Sequence, residues 1–397
     1  MVRPAVIVVV VAATTSLSLP ASAGQTVAAK STPSEVSAEQ VRTAIDTLGS
    51  LEFPVRTSAA RTVRRASAAT AVPALTRAVT SHTDEYVRFR ALVLLSGFND
   101  PKTRDLMLKM IADRNDRIRA VAYSWFEHHP DPAVLPRLLQ ALDREESEFV
   151  RPSLTGALAA YGTDPKVRDL MTQLVRKGHD LFRSAVIEAL GDHQAAYALK
   201  PIAEVARLDG PLQDDAVLAI GQLGDKRGLE TLAALQRTAS RSLQPTIAAA
   251  ICLLGSNCAS HQGFIVQTLR FATENPGFQP LLRAAASGLG ALAVAGSSEA
   301  VAALITGGVP ARDPERAPIA LALGTVAIRN TLLVLKALQE QADAAPAIDL
   351  LRDAFDMLEE DLEEERFFAL VRRTYWEAPE GSPMRRVAEA LIQRLEF

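Results

Sequence analysis

The stretch EYVRFRALVLLSGFNDP, residues 85–101, decides how the chain is read. It opens on an acid, places an apolar residue third and Arg fourth, runs on as an apolar segment and stops at Asp-Pro. Its head recurs as DRIR at 116–119, EFVR at 148–151 and DLFR at 180–183, a spacing of about 31 or 32 residues that composition alone does not produce. The acid suits a helix N-cap or first turn, where a carboxylate accepts backbone N–H bonds and meets the positive end of the helix dipole. The Arg three residues on lies on the same side and can reach that acid or the neighbouring unit.

After each head the apolar residues fall at helical spacing, as in Val87, Ala91, Leu94 and Leu95, or Val150, Leu154, Ala157 and Leu158. The breaks GFNDP, HHPDP, YGTDP, LGDHQ and LGDKR each carry an Asp (Asp100, Asp131, Asp164, Asp192, Asp225) expected to cap the next helix, often with Pro at its first position. One unit is therefore helix, short polar turn, helix. This pattern resembles the HEAT repeat family, in particular the short bacterial HEAT-like repeats, most clearly over residues 71–254. The resemblance implies an all-α fold, a curved α-solenoid of about eleven antiparallel helix pairs over residues 37–397. In residues 255–397 the hairpins persist while the acid and Arg signature fades. The resemblance also implies that the second helices, those opening on Val-Arg, line a concave side, and that the molecule is a protein-binding or scaffolding module. Each pair buries its apolar stripes only against adjacent pairs, so one continuous array is expected and not a set of globular domains.

Composition agrees with close helix packing: 48% of residues are hydrophobic but only 5% aromatic, so the apolar content is mostly Ala, Leu and Val. A net charge of -3 gives no overall attraction for nucleic acid, and the resemblance implies another protein as the partner. At the N-terminus, Arg3 precedes the apolar run PAVIVVVVAA, which passes into Ala-Ser-Ala at 21–23. That is the pattern of a signal peptide over residues 1–23, cleaved after Ala23, with a polar flexible leader over 24–36. Export to the periplasm or beyond the cell is expected, with no membrane span after removal of the signal. In that compartment Cys252 and Cys258, separated by Gly255 and Asn257, are expected to form an intrachain disulfide. Two buried thiols, or a metal site with His261, are the competing readings.

The stretch that looks most like chemistry is WFEHHPDP, residues 125–132. In register it ends a second helix, with Trp125 aligned on the core positions Leu94, Ala157 and Ala189, Asp131 as a cap and Pro132 in the next first turn. A His pair at a helix C-terminus is favoured by the negative end of the dipole, and adjacent residues point about 100° apart, unlike the same-face pair of a metal site. Deoxyhypusine hydroxylase, a HEAT-repeat enzyme, carries repeated His-Glu dipeptides around a di-iron centre; this sequence contains no His-Glu dipeptide. No catalytic residue, metal or cofactor is expected, and an enzyme with a cross-repeat site is the alternative reading. The expected interaction positions are Arg90, Tyr123, Glu127, Thr155 and Glu188, in variable columns of the second helices, with His128 and His129. Ala91, Ala122, Leu154 and Val186 form the matching buried column. The basic RTVRR at 61–65 and the acidic EEDLEEE at 359–365 suit solvated faces, or ends of opposite sign that attract acidic partners or one another.

Overall fold

A computed structural model describes residues 36–358 and 361–397. The signal peptide expected over 1–23 and the leader expected over 24–36 lie outside the described residues, save Val36. Twenty-two α-helices fill the described chain, and no strand occurs among the described residues. The first six helix pairs are α1 (Ala38–Thr47) with α2 (Phe53–Arg65), α3 (Ala68–Ser81) with α4 (Glu85–Ser96), α5 (Thr103–Met110) with α6 (Asp116–His128), α7 (Leu135–Leu142) with α8 (Arg151–Ala159), α9 (Pro165–Leu174) with α10 (Asp180–Asp192), and α11 (Leu199–Ala206) with α12 (Gln213–Gln222). Five more follow: α13 (Gly228–Thr238) with α14 (Gln244–Leu253), α15 (Cys258–Glu274) with α16 (Gln279–Val294), α17 (Ser298–Gly308) with α18 (Arg316–Arg329), α19 (Thr331–Gln339) with α20 (Ala345–Met357), and α21 (Asp361–Glu377) with α22 (Pro383–Arg394). The all-α array of eleven pairs is thus the one the repeat implies.

Side-chain caps start the second helices α4 and α6. Asp84 accepts the N–H groups of Tyr86 at 2.8 Å and Val87 at 3.4 Å, and Asn115 accepts those of Arg117 at 3.0 Å and Ile118 at 3.3 Å. The cap is therefore the residue before the repeat head, and the head's acid sits in the first turn. Of the five break aspartates, Asp164 caps α9 directly. Asp100, Asp131 and Asp225 accept N–H bonds in the turns just ahead of the next helix. Asp192 departs from the expectation: it is the last residue of α10 and pairs with Arg329 instead of capping a helix.

Arginines at the start of several second helices tie them to the preceding helix. Arg88 Nε donates to Val79 O at 2.9 Å, Arg183 Nε to Val175 O at 2.9 Å, and Arg316 Nη1 to Gly308 O at 2.9 Å. These carbonyls lie at helix C-termini, where they lack intrahelical partners and the dipole favours a cation. The same guanidinium groups then reach one helix onward, Arg88 to Asp113 and Arg119 to Glu145.

The column Ala91, Ala122, Leu154 and Val186 is fully buried, as the alignment implies. The apolar core runs through two clusters that overlap at α14, one over the earlier repeats and one over the later repeats. Leu362 of α21 belongs to the earlier cluster, whereas Phe367 and Val371 of the same helix belong to the later one. The array therefore turns back on itself: α21 packs on α4 and α6 as well as on α18, α19 and α22. In front of α4 and α6 the face of the second helices is covered by the chain's own helix. The acidic segment supplies part of this contact, since Glu365, with a side chain 0% exposed, pairs with Arg64 at 2.7 Å and Arg372 at 3.1 Å. Gly97 of the connection after α4 makes room, because a Cβ there would collide with the Glu365 carboxylate.

Candidate functional site

The last turns of α6 and α18 meet α21, and the end of α10 joins them through Asp192 and His193. Glu127 Oε1 accepts from His193 Nε2 at 3.0 Å, which joins the end of α6 to the connection after α10. His128 meets the Glu363 carboxylate, and Arg366 pairs with the same carboxylate at 2.5 Å. Arg329 pairs with Asp192, whose Oδ1 also accepts from Gln222 Nε2 at 3.4 Å. Four carboxylates (Glu127, Glu188, Asp192, Glu363) thus stand among two arginines and two histidines drawn from four repeats.

Electrostatics favour the charged forms of Glu363 and Arg329. Burial opposes ionisation of Glu363, but His128 and Arg366 outweigh it and keep its pKa below the ordinary value. Burial likewise opposes the charge on Arg329, and Asp192, Glu188 and Glu127 overcome it, so its pKa is raised. Among the described residues no three His, Cys, Asp or Glu side chains are grouped to hold a metal ion. What the arrangement does chemically is pair charges across repeats.

The octet 125–132 divides as its geometry requires. Phe126 is buried and meets the Trp125 ring edge-on at 5.1 Å. Trp125 packs against the core, and the His129 ring stacks on it at 4.0 Å while Nδ1–H donates to Trp125 O at 2.8 Å. Glu127 and His128 face the inward cluster, whereas the His129 ring is taken up by Trp125. Asp131 pairs with Arg104 at 2.9 Å, and its backbone N–H donates to Tyr161 Oη at 2.9 Å.

Two of the expected contact positions are corrected. Tyr123 is 1% exposed and its hydroxyl donates to Ile111 O at 3.1 Å; Thr155 is 0% exposed and donates to Pro152 O at 2.8 Å. Their chemistry varies between repeats because a nearby carbonyl satisfies each hydroxyl, not because they face solvent. Arg90 is half-buried beside Phe89, and it borders a cleft of about 370 Å³ walled by Tyr86, Arg117, Phe355 and Phe368. Glu188 is exposed. The cross-repeat pairs Asp192–Arg329 and His128–Glu363 carried no local signal, because each joins positions more than a hundred residues apart. Asp214 and Asp215 are also new: they bond Thr246 at 3.2 Å and Ser184 at 2.5 Å, and burial pushes both carboxyls up.

The sulfurs of Cys252 and Cys258 lie at disulfide distance, with Cα atoms 4.2 Å apart. Gly255 at φ +75° and Asn257 at φ +45° turn the chain back between α14 and α15, as the spacing implies.

Residues 41–125 and 112–191 match the family model for HEAT repeats. No curated protein matches the sequence. Among solved structures the chain is similar to the CpcE–CpcF complex of phycocyanin lyase from Nostoc sp. PCC7120, with 16% identity over 66% of this chain and 97% of that one, at TM-score 0.40. It is also similar to human deoxyhypusine hydroxylase, with 18% identity over 64% of this chain and 95% of that one, at TM-score 0.29. A third similarity is to a structure of Kap95p bound to RanGDP, with 14% identity over 89% of this chain and 54% of that one, at TM-score 0.36.

Proposed function

The chain is a HEAT-repeat protein over residues 41–191, and on that premise we propose that it is an exported protein-binding or scaffolding module working through its second helices. The observation that carries this reading is α21. The face built by α2, α4 and α6 already receives a helix, burying Leu362 and pairing Arg64 and His128 with Glu365 and Glu363. A preformed helical surface pays little ordering cost on binding, so multi-point contact along it is effective. The remaining inward surface, with Glu188 exposed and Arg90 at the cleft, is where a partner protein engages. The N-terminal run supports a partner in the periplasm or outside the cell.

Photo-crosslinking tests both parts. A crosslinking residue at position 188 or 90 captures a discrete protein in the cell envelope, and one at Gln236, on the exposed side of α13, does not. Equal capture from all three positions, or none from any, removes the inward surface as the contact. N-terminal sequencing of the mature chain starts near Gly24; a cytoplasmic chain retaining Met1 removes export. The competing reading is a cross-repeat enzyme site using a metal. Stoichiometric iron or zinc that disappears on changing His128 and His193 to Ala carries that reading instead.

A further inference from the structure

The ladder of head arginines has an incomplete rung. Arg88 pairs with Asp113, and Arg119 pairs with Glu145 at 2.8 Å. One repeat further along, the head arginine is Arg151, and the position that follows Asp113 and Glu145 in register is Lys177. The column returns to an acid at Asp209. At this rung alone of the four, two cations stand where a cation and a carboxylate stand elsewhere.

The surroundings of Arg151 fit that reading. Its guanidinium lies over the Phe182 ring, 4.3 Å from the centroid, and its buried Nε has no hydrogen-bond partner. No carboxylate among the described residues pairs with it. Arg151 and Lys177 line a crevice of about 220 Å³ between α8 and α10, walled by Pro152, Leu174, Leu181 and Phe182. Leu181 is 71% exposed, and Phe149, which precedes α8, is 57% exposed. The one acid at the crevice, Glu148, pairs with His179 at 3.0 Å.

We propose that this crevice docks an acidic and apolar segment of another protein, a carboxylate side chain completing the rung with Arg151 and Lys177 while an adjacent large apolar side chain packs on Leu181 and Phe182. The neighbouring rungs show that a carboxylate suits this geometry, and a guanidinium prefers a planar carboxylate that it can bind with two N–H groups. A buried, unpartnered N–H is costly, so a group that satisfies it gains more than one meeting a solvated arginine. The site shares no residue with the inward cluster, so it extends the binding-module reading and either can fail without the other.

The probe is N-acetyl-Glu-Leu-amide, followed through the methyl NMR signals of Leu174 and Leu181 in the full chain. It shifts both saturably, whereas N-acetyl-Gln-Leu-amide does not. Lys177 is exposed, so Lys177→Glu folds; by restoring the internal rung it raises Tm by about 1–2 °C and weakens the dipeptide about tenfold. Arg151→Gln weakens the dipeptide without raising Tm. No saturable shift, unchanged affinity in Lys177→Glu, or no rise in its Tm each overturns the assignment. Displacement of the dipeptide by an equal concentration of inorganic phosphate overturns it too, since the crevice is then a general anion site.

Discussion

At the scale of single residues, the buried hydroxyls govern alkaline behaviour. Tyr123 is closed off from solvent, and burial together with the nearby Glu145 carboxylate pushes its pKa up to about 12. An unfolded tyrosine titrates near 10, so the folded state holds this proton more tightly. The stability it contributes is whole below about pH 10 and is lost as pH rises toward 12, a change of about 2–3 kcal/mol. Tyr123→Phe therefore flattens the alkaline limb of urea midpoints taken at about pH 9, 11 and 12. Tyr161 and Tyr197, both raised by burial, leave a residual slope. A variant whose midpoint falls as steeply as that of the wild type clears Tyr123 as the cause. Burial at this position was not legible from the chain: a column alternating Tyr with other residue types looks like a solvent-facing one until the Ile111 carbonyl is seen beside the hydroxyl.

At the scale of elements, the apolar spacing and the Asp-Pro breaks found the helix pairs because both arise from local rules, a 3.6-residue stripe and a capped start. Where a local exception occurs, the element shifts. The head at 148–151 lies ahead of α8, which begins at Arg151 with Pro152 in its first turn. Proline lacks the N–H a longer helix would use, and suits a helix start. Arg151 is correspondingly the head arginine without a donated bond. Close approach between second helices follows another local choice, small residues facing each other. At Gly221 of α12 a Cβ would lie 2.5 Å from Ala250 Cα and 2.8 Å from Ala250 O of α14. Backbone cannot rotate aside as a side chain can, so Gly221→Ala forces the helices apart and costs about 1–3 kcal/mol. Gly210, with nothing within 4 Å of its Cβ position, is the control, and Gly210→Ala stays within about 0.5 kcal/mol of the wild type. Equal urea midpoints for the two variants would remove tight helix contact as the constraint at Gly221.

At the scale of the whole molecule, closure is the property that no single repeat displays. Curvature accumulates from small rotations per unit, so whether the ends meet is set by the sum and not by any motif. On sequence alone the basic segment 61–65 and the acidic segment 359–365 suit solvated faces; the structure instead pairs them within one chain, through Arg64 and Glu365. An open array, in which each pair touches only its neighbours, loses its repeats piecemeal. Here α21 holds the early repeats to the late ones, with Leu362 in one core cluster and Phe367 in the other. Glu365 is the only carboxylate paired with both Arg64 and Arg372 among the described residues. Glu365→Gln leaves two guanidinium groups side by side in a buried contact with no counter-charge, a loss of about 3–5 kcal/mol. Hydrogen exchange along a urea series separates that loss from a merely local one. In the wild type, α3–α8 and α16–α20 lose protection at the same urea concentration; in Glu365→Gln the early repeats lose it first. Halves that already separate in the wild type, or that shift together in the variant, show that the Glu365 contact does not couple the two ends.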